Sequence, residues 1–178
     1  MKISMKRSVP FDWLRHLQPD YVLDDITLLD EKMLKEAGMK AIAFDADSTL
    51  VEHNAMTVGP EILRFLKTLK LPIYITTNRR APKGDELGEI IGARRVIHAS
   101  REFRKPQPEY FQELFRKSSI DLKHTALVGD RLFTDIAGGN RSGLVTVYVK
   151  ALGKDPFYMK YTGLRAIENL LVRVLTRR

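Results

Sequence analysis

Asp45 and Asp47 stand one residue apart at the end of a short apolar run, Ala41-Ile42-Ala43-Phe44. Two carboxylates this close repel, so something must hold them: a cation, a shared proton or a lysine. The run itself reads as a buried parallel strand, and in open α/β sheets ligands bind just beyond the carboxyl ends of the strands. Both acids are therefore expected at the mouth of a site.

Three further polar clusters stand after expected strands or at the start of expected helices. With Asp45/Asp47/Thr49 they are Thr77/Asn78, Lys105 and Asp130/Asp135. Parallel strands put their carboxyl ends on one edge, so the four should converge. Taken singly each has an ordinary reading: a solvated turn, a strand-to-loop step, an exposed lysine, a helix cap. Their order and placement carry the assignment. The chemistry that suits them is phosphoryl transfer through a covalent aspartyl-phosphate. One carboxylate attacks phosphorus, and a second acid protonates the leaving oxygen and later activates water. A hard divalent cation, Mg²⁺, would screen the nucleophile from the phosphate charge. Thr77, Asn78 and Lys105 would stabilise charge on the transferring oxygens.

The elements that must position these groups follow from periodicity and punctuation. Asp30 caps a helix expected over Glu31 to Ala37, and Gly38 stops it. Pro60 opens a second helix with an apolar face of Ile62, Leu66 and Leu69. Strands are expected at Ile73 to Thr76, Val96 to His98, Ala126 to Val128 and Val145 to Val149. Short helices intervene around Gly84 to Gly92, after Pro108 (buried face Tyr110, Phe111, Leu114, Phe115) and over Asp135 to Arg141. This alternation argues for an α/β three-layer fold with a parallel sheet of about five strands. The final segment, Tyr161 to Arg178, reads as a helix with Leu164, Ile167, Leu171 and Val174 on its apolar stripe and Arg165, Arg173 and Arg177 off it. A chain of 178 residues suits a single domain over 1–178, with a basic arm over about 1–20 and a basic helix over about 161–178.

Composition narrows the function classes. The chain has no cysteine, which excludes disulfides, thiolate catalysis and cysteine-ligated metals. His16, His53, His98 and His124 are scattered at no ligand spacing and read as structural or surface residues. No apolar core of signal-peptide length precedes Pro10, and no run approaches the ~20 apolar residues of a bilayer span. A reducing cytoplasm is the expected location. The formal charge of +8 lives in the ends: residues 150–178 carry a net +5 and residues 1–20 a net +2. Such ends favour a polyanion, either acidic lipid or nucleic acid. Phe11, Trp13, Leu14 and Leu17 lie at near-helical spacing in the arm, either packing on the domain or anchoring it at a membrane interface.

At the four clusters the sequence resembles the haloacid dehalogenase (HAD) superfamily of phosphatases. Asp45-Ala-Asp47-Ser-Thr49 is similar to its first motif, Thr77 to its second, Lys105 to its third and Gly129-Asp130 with Asp135 to its fourth. The run from Val128 to Leu144, with Pro19-Asp20-Tyr21-Val22 upstream, resembles the YqeG-like subclass IIIA branch, related to phosphatidylglycerophosphate phosphatases. The resemblance implies Asp45 as nucleophile and Asp47 as general acid/base. It implies Mg²⁺ on Asp45, Asp130 and the Asp47 backbone carbonyl, phosphoryl binding by Thr77 and Lys105, and Asp135 in support. Ser48 departs from the Asn common in the first motif. HAD cap domains are inserted between motifs one and two or two and three. Here those gaps are 30 and 28 positions, already filled by core elements, so no cap is expected.

An uncapped site suits a phosphate on something large. The leading expectation is a Mg²⁺-dependent phosphomonoesterase acting on phosphatidylglycerophosphate, with the basic ends touching an anionic membrane from its cytoplasmic side. A soluble ester, such as a sugar phosphate or nucleotide, is the second. A basic RNA- or ribosome-binding protein with vestigial catalysis is the third, and two features argue against it: an intact motif set, and few aromatics in the ends placed to stack on bases.

Overall fold

The computed structural model describes residues 2–3, 12–79, 83–153 and 162–176. At its centre is strand β3 (Ala41–Asp45), every residue of which is buried. A strand buried on both faces has no polar alternation, which is why its sequence is a continuous apolar run. On one side it pairs with β4 (Ile73–Thr77) and through it with β5 (Arg95–His98). On the other it pairs with β6 (Thr125–Gly129) and through it with β7 (Val145–Val149). All of these pairings are parallel. The register sets Asp45 opposite Thr76 and Phe44 opposite Val128, so the clusters that end β3, β4 and β6 lie side by side on one sheet edge.

The sheet also holds two strands near the amino end that periodicity does not predict. Strand β2 (Tyr21–Leu23) pairs parallel with β7, and β1 (Lys2–Ile3) pairs antiparallel with β2. The full order is β1-β2-β7-β6-β3-β4-β5. Three residues between acids carry no periodicity. Strand β2 exists because Asp20 fixes it to β7: the Asp20 amide donates to the Thr146 carbonyl at 2.9 Å, and the Thr146 amide donates to Asp20 Oδ2 at 2.8 Å.

Alternate residues of the strands face two layers of helices. One face carries Ile42, Phe44, Ile75, Val128 and Val147, and meets apolar residues of α2 (Glu31–Glu36), α3 (Pro60–Thr68) and α4 (Lys83–Ile91). The other carries Ala41, Ala43, Tyr74 and Leu127 against α5 (Pro108–Ser118), and Tyr148 against a π-helical turn at Leu132–Ile136 that runs into α6 (Ala137–Arg141). The helix expected to begin at Asp135 thus starts earlier, in that turn. Near the amino end a short α1 (Asp12–Arg15) leads to Leu17, buried against Ala137 and Leu175. Of the four arm residues expected either to pack on the domain or to anchor at a membrane, Leu14 and Leu17 pack on it, while Phe11 and the Trp13 side chain lie outside the described residues. The 47–77 and 77–105 intervals are spent on α3 with β4 and on α4 with β5, which leaves no cap among the described residues.

The last helix, α7 (Leu164–Thr176), forms where expected but presents a different face. Arg165, Glu168 and Leu175 are buried with Leu171 and Val172 partly covered, while Ile167 and Val174 are 51% and 57% exposed. The buried stripe is the expected one moved along by one residue, a turn of about 100° about the axis. A rule that sends charges outward could not anticipate it, because the helix buries an ion pair.

Candidate active site

Lys105 is the hub. Its ammonium donates to Asp45 Oδ1, to Asp135 Oδ1 at 2.7 Å and to the Thr76 carbonyl at 3.5 Å, with only 3% of the side chain exposed. Its backbone amide donates to Asn78 Oδ1 at 3.2 Å, so the residue after Thr77 anchors the Lys105 loop. Behind the loop, Tyr110 of α5 accepts from the Thr77 amide at 2.7 Å and donates to the Ile97 carbonyl at 2.6 Å. Gly129 is required beside this cluster: a Cβ there would lie 2.5 Å from Asp135 Cβ.

Asp45, Asp130 and Asp135 are all buried, and one oxygen from each falls within 4.8 Å of the others. Burial, then repulsion from Asp135 and Asp130, outweighs the pull of Lys105 and raises the Asp45 carboxyl well above the usual range. Burial and the Asp135 charge push Asp130 up to about 6 against the opposing Arg165. Lys105 is driven the other way: burial disfavours its charge, but Asp135 and Asp45 outweigh that and hold it protonated. Three carboxylates against two buried cations, Lys105 and Arg165, leave an excess of negative charge on an all-oxygen donor set. That is the chemistry of a hard divalent cation site.

Asp47 has a different environment. Arg79 clamps its carboxylate with Nε at 2.8 Å and Nη2 at 2.6 Å, and the Asn54 amide donates to it at 2.8 Å. His53 Nδ1 lies 3.6 Å away. Burial works to raise this carboxyl, but the hydrogen bonds from Arg79 and Asn54 and the Arg79 charge prevail and hold it below the usual range. Directly after Asp47 the chain turns sharply, with Ser48 in the left-handed region at φ 60°. Asn tolerates that conformation better than Ser, which gives the first-motif Asn a backbone reason.

These groups surround a cavity of about 110 Å³. Asp45, Asp47, Asn78, Lys105 and Asp135 line it, together with Ser48, His53, Arg131, Thr134 and Arg165. Thr49, Thr77 and Asp130 stand behind as buried supports; Thr49 Oγ1 donates to Asp130 Oδ1 at 3.4 Å. A larger groove of about 810 Å³ beside α3 carries Asp24, Glu52 and Glu61 on its walls, a poor setting for an anionic phosphate. All eight residues singled out from the sequence come to one place. The carboxylates that converge are Asp45, Asp130 and Asp135, while the Asp47 side chain turns to Arg79. Sequence reasoning missed Arg79, Arg131, His53, Arg165 and Glu168. Arg79 had a signal, directly after Thr77-Asn78 at the strand end; the two residues of α7 had only their spacing of three.

A family model described as HAD-hydrolase-like matches residues 102–155, the stretch that holds Lys105, Asp130 and Asp135. A Bacillus subtilis protein named "Probable phosphatase YqeG" is 27% identical over 90% of this chain and 92% of its own length. Both matches agree with the HAD-phosphatase resemblance of the four motifs. Two phosphatidylglycerophosphate phosphatases also match, from Arabidopsis thaliana at 28% identity and Chlamydomonas reinhardtii at 30%, over 80% and 78% of this chain. The chain spans 44% and 55% of their respective lengths. Among solved structures, an uncharacterised Listeria monocytogenes protein superposes with a TM-score of 0.53 over 67% of this chain and 84% of its own, at 17% identity. A predicted phosphoglycolate phosphatase from Haemophilus somnus does so at 0.52, over 68% and 91%, at 15% identity. These likenesses show the HAD fold.

Proposed function

We propose that this HAD phosphatase is a Mg²⁺-dependent phosphomonoesterase that works through an aspartyl-phosphate on Asp45. The observation that carries the reading is the set of three buried carboxylates gathered around one lysine at the sheet edge. Asp45 Oδ attacks phosphorus as the bond to the leaving oxygen breaks, and Asp47 gives that oxygen its proton. Asp47 then takes a proton from water, whose oxygen attacks phosphorus and releases inorganic phosphate and free Asp45. In the resting site Arg79 holds Asp47 ionised, so the acid role requires the guanidinium to leave it. A dianionic phosphate entering beside it is a competing partner for that guanidinium. Lys105, Asn78 and Thr77 hold the phosphoryl oxygens and their surroundings. Mg²⁺, held by Asp45, Asp130 and the Asp47 carbonyl, would supply the charge that lets an anionic nucleophile meet an anionic substrate.

The substrate we infer is phosphatidylglycerophosphate. The two relatives of that activity and a mouth with no cap support it. So does the outward face of α7, where Ile167, Leu170 and Val174 stay exposed beside Arg173, an apolar and basic stripe suited to peripheral contact with an anionic membrane. No helix among the described residues is long and apolar enough to cross a membrane. The test is phosphate release from phosphatidylglycerophosphate in mixed micelles, with Mg²⁺ or EDTA, beside a panel of soluble esters. Mg²⁺-dependent turnover that prefers the lipid is expected, with a loss of about 10⁴-fold or more in Asp45→Asn. Turnover confined to soluble esters would keep the mechanism and replace the substrate.

A further inference from the structure

The tail helix reaches the carboxylate cluster from 35 residues downstream, through Arg165. Its Nη2 donates to Asp130 Oδ2 at 2.6 Å and its Nη1 to the Asp130 main-chain carbonyl at 2.9 Å. It also bonds the Tyr148 side chain on β7. One guanidinium thus ties the Asp130 side chain to the backbone of the same residue, which locks its rotamer. The other oxygen, Oδ1, takes a single long hydrogen bond from Thr49 at 3.4 Å.

Arg165 is held in turn. Glu168, one turn along α7 and fully buried, has Oε1 on the Phe133 amide at 3.3 Å. Its Oε2 makes no hydrogen bond; it lies 3.7 Å from Arg165 Nη1 and 3.6 Å from Arg131 Nε. Asp130, Arg165, Glu168 and Arg131 therefore form a circuit of alternating charge that leaves β6 at Asp130 and returns to the next residue. Stability alone is a weak reason for it, since a buried ion pair is often matched or bettered by apolar residues of similar volume. What the circuit does achieve is a carboxylate fixed in direction.

We propose that Arg165 is a positioning residue of the cation site, that Glu168 orients it, and that α7 is for this reason part of the active centre. The inference rests on the cation-dependent reading above. Arg165 sets Asp130 so that Oδ1 is presented to the ion shared with Asp45, and it does so from the side away from Oδ1. Outer-shell groups of this kind are worth about 10- to 100-fold in metal affinity.

The test is titration of Mg²⁺ into metal-free full-length protein by calorimetry, with the Mg²⁺ dependence of p-nitrophenyl phosphate turnover alongside. Arg165→Met is expected to raise the Mg²⁺ Kd by about 10- to 100-fold. The Mg²⁺ concentration for half-maximal turnover should rise by the same factor. Arg165→Lys, which keeps the charge and loses the fork, should fall between. Glu168→Gln should raise the Kd less, by under about tenfold, and it stands as the deciding variant if Arg165→Met does not fold. Asn169→Ala, at an exposed position of the same helix, should leave the Kd unchanged. An unaltered Kd in the Arg165 and Glu168 variants overturns the proposal, since Arg165 would then act on substrate or on the fold. A tighter Kd overturns it too, because the guanidinium would be a rival of the ion. Wild-type protein that binds Mg²⁺ but does not hydrolyse the lipid fails the substrate reading and leaves this one decidable; wild-type protein that binds no Mg²⁺ overturns both.

Discussion

Asp45 and Asp47 are separated by a single residue, yet their surroundings push them in opposite directions. Asp45 sits among buried carboxylates and is driven toward its neutral form; Asp47, at the partly open rim, is clamped by Arg79 and kept ionised. The proposed nucleophile should be ionised and the proposed general acid protonated, so the surroundings of each residue bias it away from the state that the first chemical step needs. The difference shows what a metal and a phosphate would each have to do. A cation joining Asp45 and Asp130 would remove the repulsion that favours the neutral form. A phosphate drawing Arg79 away would free Asp47 to carry a proton. On the proposed mechanism, the inner half answers to metal and the outer half to substrate.

Disturbing the inner half alone gives the largest effect. Gly129→Ala would drive a methyl group into Asp135, whose Cβ lies 2.5 Å from the position it would occupy. Turnover should fall by about 100-fold from misplacement of the cluster. The Asp47 titration, followed by carboxyl ¹³C NMR, should not move; if it does, the two halves are not separate.

The inner half should also show its proton competition. With the Asp130 carboxyl near 6, Mg²⁺ competes with a proton below that pH and meets an ionised ligand above it. The increase in stability given by Mg²⁺ should therefore grow from pH 5 to pH 7. At pH 5 it should be smaller by about 1.4 kcal/mol, the worth of one tenfold change in affinity. Thermal unfolding with Mg²⁺ and with EDTA at both pH values checks this; an increment that does not change with pH would contradict it.

The outer half is tested at Arg79. In Arg79→Gln the burial that works to raise Asp47 loses its main opponent, so the carboxyl should titrate at higher pH than in the wild type. The same NMR experiment reads the direction. An unchanged Asp47 would mean that Asn54 and His53 suffice to hold it. The smallest effect is expected in the turn just after Asp47: Ser48→Asn, at a left-handed position, should add up to about 1 kcal/mol of stability by denaturant unfolding.

Which parts were legible in the sequence follows the same division. The inner half was readable because Asp45 and Asp130 follow apolar runs while Lys105 and Asp135 stand at the starts of expected helices, and a parallel sheet brings such positions to one edge. Asp45, Lys105, Asp130 and Asp135 needed no knowledge of packing. The rest depends on partners distant in sequence. Strand β2 is three residues long and owes its existence to Asp20 and Thr146. Helix α7 was found by its apolar period, but the buried Arg165–Glu168 pair turned it by one residue, and a pattern that scores charges as exposed cannot register that. Arg79 lay in plain view after Thr77-Asn78; what hid its role was that its partner, Asp47, is 32 residues upstream.

The burial of Lys105 has a consequence for covalent chemistry. Acylating reagents and enzymes attack the neutral, accessible amine of a lysine, and Lys105 in the folded chain offers neither neutrality nor access: it is held protonated by two carboxylates and its side chain is 3% exposed. The surface lysines can be acetylated or labelled, while the ammonium that organises the site stays out of reach until the fold itself opens.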